Sequence, residues 1–240
     1  MPAILDRYPT ISKELPAALA ETIGTQATLA RARRGNDVVS PDDSSNPVYL
    51  LLEGRVQTRL ITHDGTEAIL RDLGPGAFFG ELAAIDDGPR SAWVVALTDC
   101  VLARIPGEAF RAAVLGIPEV TEWMMTRLTA QIRDLTHRWF ELNALQVRSR
   151  LHCELARMCG EENGTLVLDP APSHAELAAR IGSHREAITR EMGYLARNGI
   201  VEQVSPRRLA IHDPAALRRL ADLATWGLES GDAPGGAPAG

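Results

Sequence analysis

The spacing of apolar positions changes along the chain and predicts three kinds of structure in turn. Residues 9–27 have apolar side chains at helical spacing, which predicts helix. Residues 27–105 contain short runs rich in Val, Leu and Ile, separated by turn signals such as Asp64-Gly65. Several short strands at this spacing are typical of a β-sandwich or barrel. Helical spacing returns after Pro106, first in a short helix over 107–115.

A long helix is predicted to begin at Pro118. Its apolar residues lie alternately three and four positions apart, which is the a/d pattern of a coiled coil. An a/d-only stripe is narrower than the stripe of a helix packed into a globular core, so the pattern favours pairing with a second copy. The alternative is a helix packed only within its own domain. The stripe consists of Met125, Leu128, Ile132, Leu135, Trp139 and Leu142.

The last stretch predicts a helical hairpin followed by a β-wing. Residues 147–159 have helical spacing, and TLVLD after them reads as a short strand. Two helices joined through Ile181-Gly182-Ser183 come next. Ser173 is a predicted N-cap of the first of these helices, with Glu176 three residues later as the partner in a capping box. Two short strands then flank Ser205-Pro206, where a turn is expected.

The composition is that of a globular protein, with 45% apolar and 23% charged residues. No apolar run approaches the ~18 residues of a membrane-spanning helix, and the N-terminus lacks the pattern of a signal peptide. We therefore expect a cytoplasmic protein with no membrane partner. Residues 229–240 are rich in Gly, Ala and Pro, and we expect them to be disordered.

The net charge of −6 does not by itself indicate a nucleic-acid partner. The basic residues are almost all Arg, with Lys13 the only Lys. The guanidinium fork of Arg suits bidentate contacts to phosphate or guanine. Heavy use of Ala and Arg could equally reflect the base composition of the genome. Whether the chain binds nucleic acid therefore has to be judged from the local arrangement of the arginines.

The segment from Phe79 to Ala92 combines residues that can bind a phosphate and a sugar. Gly80 permits close approach of the backbone, and a helix beginning near Glu81 would offer the N–H groups of Leu82 and Ala83 to an anion. Arg90 supplies a fork of donors and Ser91 a hydroxyl. Glu81 can accept a hydrogen bond from a sugar hydroxyl. The alternative is a turn with a Glu–Arg pair on the surface.

The second helix of the hairpin has the pattern of a DNA-reading helix. Its buried stripe is predicted to be Ile188, Met192 and Leu195, so the side chains between them project on the other side. Such a helix can lie in the major groove, where Arg matches guanine O6 and N7 and Glu accepts from cytosine N4. The alternative is an ordinary helical hairpin facing solvent. The projecting residues are Arg185, Glu186, Thr189 and Arg190.

These motifs together resemble the CRP/FNR family of bacterial transcription regulators, over residues 10 to 220. The resemblance implies that Glu81 binds the ribose 2′-hydroxyl of a cyclic nucleotide, Arg90 pairs with the cyclic phosphate, and Ser91 adds a hydrogen bond. Backbone groups of the segment would complete the site at Gly80, Leu82, Ala83 and Ala92. The cyclic-AMP-binding member places a Thr-Ser pair on the long helix at the purine. Here those positions are Leu135 and Thr136, so one hydroxyl is lost and the choice between cyclic AMP and cyclic GMP is open.

The helical hairpin resembles the winged helix-turn-helix of the same family, in which an Arg-Glu-x-x-x-Arg triad reads each half-site. Arg185, Glu186 and Arg190 match that triad, while Ala187 stands where Thr is frequent and leaves the half-site sequence in doubt. Further DNA contacts are expected at Thr189, and at Arg180, Ser183 and His184 as phosphate contacts that position the helix without specifying sequence.

The sequence lacks the residues that several other kinds of site would need. The first cysteine is Cys100, so the N-terminal cysteine cluster of the oxygen-sensing branch is absent. Cys153 and Cys159 do not have a zinc-ligand spacing. The chain has no P-loop, GxSxG or HExxH motif, so we predict no enzyme, no metal site and no catalytic residues. A haem sensor is a remaining alternative.

The sequence therefore predicts an α+β protein with a jelly-roll-like β-roll over 10–117, a dimerisation helix over 118–145 and a winged helix-turn-helix over 146–222. The expected function is that of a homodimeric transcription regulator whose allosteric effector is a cyclic nucleotide, with cyclic AMP as the first expectation. Its partners would be double-stranded DNA, a second copy and RNA polymerase. The alternatives are DNA binding independent of cyclic nucleotide, another effector, or a nucleotide-binding module that acts through protein partners.

Overall fold

A computed structural model describes residues 4–43, 45–162 and 165–225. The chain forms two compact units that divide between Leu135 and Thr136, within one continuous helix. The sequence analysis predicted this helix, over 118–145, as a separate segment between the two domains. The predicted disordered tail, 229–240, lies outside the described residues.

The first unit begins with helices. A short 3-10 helix (Ile4–Arg7) precedes α1 (Pro9–Lys13) and α2 (Ala17–Gln26). The single helical stretch expected over 9–27 is thus broken before Ala17, because Pro16 lacks the backbone N–H that would continue α1 and instead caps α2. An isolated helix, α3 (Glu81–Asp86), lies between strands, and α4 (Gly107–Gly116) and α5 (Pro118–Ala144) follow the last strand.

The strands of the first unit form two antiparallel sheets. Their bounds are β1 (Thr28–Ala32), β2 (Asp37–Val39), β3 (Val48–Glu53), β4 (Val56–Ile61), β5 (Glu67–Leu73), β6 (Phe78–Phe79), β7 (Trp93–Ala96) and β8 (Cys100–Ile105). The sheet orders are β1-β8-β3-β6 and β2-β7-β4-β5. Asp64-Gly65 lies in the loop of the β4–β5 hairpin, as its turn pattern predicts.

Two hydrophobic cores hold the first unit together. One contains Leu51 and Leu102 from the first sheet with Val56 and Val94 from the second, so it fills the space between the sheets. The other packs the outer side of the first sheet against the helices, with Leu19 of α2 and Phe110 of α4 fully buried. The jelly-roll-like β-roll predicted from the alternating short runs is confirmed.

The second unit contains the end of α5 and a winged helical hairpin. Its elements are α6 (Val147–Met158), β9 (Gly160–Glu162), β10 (Thr165–Leu168), α7 (His174–Ile181), α8 (Arg185–Arg197), β11 (Val201–Ser205), β12 (Arg208–Ile211) and α9 (Pro214–Thr225). The strands form one antiparallel sheet in the order β11-β12-β10-β9. Its core is formed by α6, α7 and α8 packed on this sheet, with Leu151, Ile188 and Leu195 fully buried.

Candidate functional site

Gly80 connects β6 to α3 and adopts a left-handed conformation, with φ of +84°. A Cβ atom at this position would lie 2.6 Å from Nη1 of Arg90 and 3.0 Å from the carbonyl oxygen of Pro47. Only glycine combines this backbone conformation with so close an approach. Gly80 thus allows the Arg90 side chain to fold back onto the start of α3.

Arg90 is buried and is held by neutral acceptors. Its Nη1 donates to the carbonyl oxygen of Gly80 at 2.8 Å, and its Nη2 donates to those of Pro47 at 2.8 Å and Ser45 at 3.0 Å. Its Nε is buried and has no hydrogen-bond partner among the described residues. Burial lowers the pKa of Arg90, opposed by the charges of Tyr49, Asp43 and Glu81. A desolvated guanidinium with a donor to spare is suited to an anion.

A cavity of about 270 Å³ opens between this segment and α5. Glu81, Arg90 and Ser91 all line it, so the structure brings the three predicted phosphate- and sugar-binding side chains to one place. The residues expected to contribute backbone groups line it as well; they are Gly80, Leu82, Ala83 and Ala92. The apolar part of the wall includes Val39, Leu60, Leu70, Phe79 and Val94.

Glu81 is 7% exposed, and its burial raises the pKa of its carboxyl group above the ordinary value. A hydrogen bond from its own backbone and the charges of Arg71, Arg127 and Arg90 act in the opposite direction. The site therefore holds a partly desolvated carboxyl group among three arginines. Such a group accepts hydrogen bonds from a hydroxyl more strongly than an exposed one does.

A second cavity of about 370 Å³ shares part of its wall with the first. Arg127 lines it, and its guanidinium lies 4.9 Å from the ring centroid of Trp123 and 5.7 Å from that of Phe78. Burial lowers the pKa of Arg127, while Glu81 raises it. The side chains common to both cavities are Arg71, Glu81, Gln131 and Asp134.

The long helix contributes residues that sequence reasoning missed. Leu135 lines the first cavity, as predicted, and Gln131 and Asp134 line it beside Leu135. Their spacing of three and four places them on one helix face, which was a usable signal once α5 was predicted. Thr136 does not line this cavity within the described residues, and it belongs to the second unit.

The helical hairpin of the second unit has the predicted local structure. The Ser173 Oγ accepts from the backbone N–H of Glu176 at 3.2 Å, and the Glu176 carboxylate accepts from the N–H of Ser173 at 2.7 Å, which completes the capping box. Gly182 ends α7 in a left-handed conformation with φ of +58°. Ile188 and Leu195 are buried, so the opposite face of α8 is left to solvent.

The side chains predicted to contact DNA differ in exposure. His184, Arg185, Glu186 and Arg190 are exposed, while Ser183 and Ala187 are half-buried. Thr189 is exposed, but its hydroxyl already donates to the carbonyl oxygen of Arg185 and lies 2.9 Å from Nδ1 of His174. Four charged or ionisable side chains therefore project together from the start of α8.

Arg180 differs from the prediction. Its side chain is 5% exposed and its Nη1 lies 3.5 Å from the carboxylate of Glu154. Glu154, itself buried in α6, also pairs with Arg157 and lies 3.9 Å from Arg138 of α5. Because a charge this desolvated is held by its partner, Arg180 does not present itself as a phosphate contact in this structure.

The apolar stripe of α5 is exposed along the helix. Trp139 is 67% exposed, Ile132 63% and Met125 59%, while Leu128 is half-buried. Leu135 and Leu142 are each 45% exposed. Large apolar side chains in a continuous exposed row are unusual on a monomer and mark an interaction surface.

Neither a metal-binding cluster nor a membrane span is found among the described residues. No group of three or more His, Cys, Asp or Glu side chains in this part of the chain is arranged to hold a metal ion. No helix within the same residues is both long and apolar enough to cross a membrane.

Two family models match the chain. Residues 29–115 match the cyclic nucleotide-binding domain, and residues 149–220 match the Crp-like helix-turn-helix domain. The matched ranges contain the cavity segment from Gly80 to Ala92 and the hairpin formed by α7 and α8, respectively.

The chain is also similar to curated regulators. It is 29% identical over 188 residues to the cyclic AMP receptor protein of Thermus thermophilus, covering 78% of this chain and 85% of that one. It is 24% identical over 192 residues to the CRP-like cAMP-activated global transcriptional regulator of Mycobacterium tuberculosis, with the same coverage. A solved structure of a CRP/FNR family transcriptional regulator, also from Thermus thermophilus, superposes with a TM-score of 0.65 at 27% identity, covering 81% of this chain and 98% of that one.

Proposed function

The chain belongs to the CRP/FNR family of transcription regulators, which are not enzymes, and on that premise we propose that it is a homodimeric, cyclic-nucleotide-responsive DNA-binding regulator. The effector would occupy the cavity of the first unit, and the second unit would read a palindromic DNA site. Such a regulator works in the cytoplasm beside RNA polymerase.

The observation that carries the ligand proposal is the burial and the hydrogen bonding of Arg90. Its side chain is buried in the cavity wall, its Nη atoms donate to backbone carbonyl oxygens, and its Nε has no partner among the described residues. A cyclic phosphate would supply the missing negative charge and accept from Nε. Ser91 would add a hydroxyl donor, and Glu81 would accept from the ribose 2′-hydroxyl.

The names of the two curated relatives support cyclic AMP as the first candidate effector. Identities of 24–29% leave the contacts to the base free to differ. The general class of ligand is therefore a cyclic purine nucleotide.

The dimer proposal rests on the exposed stripe of α5. Its a/d spacing suits a parallel pair of helices, and its side chains are too apolar to face water along so great a length. In a dimer the stripe would be buried against the same residues of the partner. Thr136 of the partner copy would then be the expected second contact of the purine.

The DNA proposal rests on the exposed start of α8. Arg185, Glu186 and Arg190 project together from a helix whose other face is buried, which is the arrangement that places side chains at base edges in the major groove. Two copies of α8 in a symmetric dimer would read half-sites about one helical turn apart.

The proposed mechanism is a shift between two populations of the dimer. The ligand favours the state in which both recognition helices match the spacing of the major grooves. It can shift this equilibrium only by the difference between its affinities for the two states.

The test measures DNA affinity with and without cyclic nucleotide, for the full chain and two variants. Arg90→Ala removes the phosphate donor and is expected to abolish the response to nucleotide while the protein stays folded by circular dichroism. Arg33→Ala removes an exposed arginine on the first unit, outside the cavity, and is expected to respond like the wild type. Equal responses in both variants would refute the cavity assignment.

The same measurement separates the alternatives. DNA binding that is tight and unaffected by nucleotide in the wild type would identify a ligand-independent regulator or one with another effector. Nucleotide binding without sequence-specific DNA binding would identify a module that acts through protein partners.

A further inference from the structure

We propose that His152 is a positioning residue for DNA reading, because its hydrogen bond to Glu191 sets the orientation of the recognition helix α8 on α6. The inference rests on the proposed function, since it requires α8 to read a DNA site. It adds a buried pair within the second unit to the exposed side chains that are proposed to contact DNA.

His152 lies in the interior of the second unit, between α6 and α8. Its side chain is 1% exposed, and its Nε2 lies 2.7 Å from Oε1 of Glu191, whose side chain is 15% exposed. A carboxylate can only accept, so Nε2 of the ring carries the hydrogen of this bond. The bond therefore joins α6 to α8 away from water, where a hydrogen bond is electrostatically stronger than at the surface.

Glu191 occupies a position in α8 from which it can direct a base-reading side chain. It directly follows Arg190 and stands three residues after Ile188, at the border of the buried stripe. Leu151 of α6 and Ile188 belong to the same apolar core. Apolar burial is non-directional, whereas a hydrogen bond weakens steeply as its angle departs from linear. The bond from His152 thus favours one rotation of α8 about its axis, and with it one direction for Arg190.

The surroundings of the ring favour its neutral form. Burial lowers the pKa of His152, and Arg148 on the same helix acts in the same direction. Glu191 and the backbone of Leu220 in α9 act in the opposite direction. Nδ1 is buried, and no group in the described part of the chain lies in hydrogen-bonding geometry to it. A second proton on the ring would therefore place a positive charge where no water reaches it, which is costly.

The charged and titratable side chains of the other helices packed against α6 face elsewhere. On α7 and α9 their partners in the described residues are Thr189 for His174, Ser173 for Glu176, Glu154 for Arg180 and Asp213 for Arg219. The charge on the ring is therefore governed by its burial and by the groups named above.

Acidification is expected to weaken DNA reading through this pair. Because burial holds the pKa of His152 below its ordinary value of about 6.5, the closed arrangement is fully favoured above that value and is lost progressively as the pH falls below it. An arrangement in which α8 moves and the ring meets water takes up the proton more readily. In that arrangement Arg190 is no longer held in one direction.

The experiment compares the affinity of the full-length protein, with cyclic AMP present, for a DNA site obtained by in vitro selection and for an unrelated duplex. His152→Leu removes the donor and is expected to lower the ratio of these affinities at pH 7.5 about tenfold, the equivalent of one hydrogen bond to a charged group. His152→Gln keeps a donor at the place of Nε2 and is expected to retain most of the ratio at pH 7.5.

The pH profile separates positioning from a purely structural role. At pH 5.5 the wild type is expected to lose up to about tenfold in the ratio relative to His152→Gln, because that pH lies one unit below the ordinary pKa and the glutamine has no proton to gain. Exposed histidines such as His184 titrate in both proteins, so their effect cancels in the comparison.

Two further pairs of variants complete the test. Glu191→Leu and Glu191→Gln repeat the comparison from the half-buried α8 side, with a loss expected only for leucine, and keep the test valid where His152→Leu does not fold by circular dichroism. His212 and Glu202 form a matched pair at the surface, with 2.6 Å between Nε2 and Oε2 and side chains 48% and 64% exposed. His212→Leu and His212→Gln should follow the wild type at both pH values.

The outcomes distinguish this inference from the proposed function. A wild-type ratio in His152→Leu or Glu191→Leu at pH 7.5 would overturn the inference, as would equal losses in His152→Leu and His152→Gln. A constant difference between the wild type and His152→Gln across the two pH values would also overturn it. A wild type that binds both duplexes equally at pH 7.5 would overturn the DNA-reading function itself, and the inference with it.

Discussion

The guanidinium of Arg180 in α7 lies 3.5 Å from the carboxylate of Glu154 in α6, and the two side chains are only 5% and 4% exposed. Glu154 is also paired with Arg157, whose Nη2 lies 2.6 Å from Glu141 near the end of α5. One buried carboxylate thus fastens the first helix of the hairpin to α6, and through Arg157 to α5. Because of this pairing, Arg180 is not exposed for the contact with a DNA phosphate that the sequence analysis predicted.

Arg180 is expected to contribute to the free energy of unfolding rather than to DNA affinity. Arg180→Gln leaves Glu154 without one of its buried partners, and breaking such a pair costs about 3 kcal/mol of the free energy of unfolding. Urea denaturation followed by circular dichroism measures this loss. Under conditions where the variant is folded, the dependence of DNA affinity on salt should equal that of the wild type.

Arg190→Gln is the matched variant and should behave in the opposite way. Arg190 is exposed on α8, so its loss should leave the free energy of unfolding within about 0.5 kcal/mol of the wild type. DNA affinity should fall by about 1–3 kcal/mol if Arg190 contacts a base. A reduced salt slope in Arg180→Gln, with full stability, would restore Arg180 as a phosphate contact.

The contrast between Arg180 and Arg190 shows what local patterns can and cannot predict. Helical spacing identified the buried stripe of α8 and hence the exposure of Arg190, because that stripe is set by the 3.6-residue period alone. The partner of Arg180 is on another helix, far away in sequence. The helical spacing of residues within one helix cannot predict such a pairing.

The residues that line the cavity likewise include some that the local sequence predicts and some that it does not. Glu81, Arg90 and Ser91 lie close together in sequence, and their motif was sufficient to predict that they line one pocket. Gln131 and Asp134 reach that site because α5 and the segment around α3 border one cavity, which is a result of tertiary structure. The helix was predicted, and so was the place of Leu135 at the ligand, but Gln131 and Asp134 were not.

Glu186 is expected to determine sequence discrimination rather than overall affinity for DNA. A glutamate at a base edge accepts from cytosine N4, so Glu186→Ala should reduce discrimination at one base pair of each half-site by about 1–3 kcal/mol. In vitro selection of the binding site, followed by competition with single-base variants, measures this change. Glu161→Ala, which removes an exposed carboxylate of β9 in the same unit, should leave discrimination intact. An unchanged preference in Glu186→Ala would remove it from the base-reading set.

Trp139 is expected to be a principal contact of the dimer. It is 67% exposed in the single chain, so Trp139→Asp should leave the fold intact while placing a charge in the stripe that is proposed to pair. A truncated aromatic anchor at an interface typically costs at least about 2 kcal/mol, which corresponds to about thirtyfold in the dimer dissociation constant. Sedimentation velocity over a concentration series measures this constant. His137→Asp places the same charge on the opposite side of the heptad and should leave the dimer unchanged.

Glu81 is expected to favour ligand binding at the expense of stability. Burial raises the pKa of its carboxyl group, so the folded protein holds that proton more tightly than the unfolded chain does. The stabilisation linked to this proton is complete below the ordinary glutamate pKa and is lost as the pH rises through the raised one. Glu81→Gln lacks this titration, because its amide is neutral at every pH.

The unliganded Glu81→Gln variant should therefore be more stable than the wild type at pH 7, with a difference that shrinks as the pH falls towards 4. It should also bind cyclic nucleotide at least about tenfold more weakly, because a charged acceptor of the ribose hydroxyl is replaced by a neutral one. Thermal denaturation across this pH range measures the first effect and calorimetric titration the second. Asp42→Asn, an exposed carboxylate outside the described cavities, is the control and should show neither change. A wild type that gains stability relative to Glu81→Gln as the pH rises from 4 to 7 would mean that the arginines around Glu81 outweigh its burial.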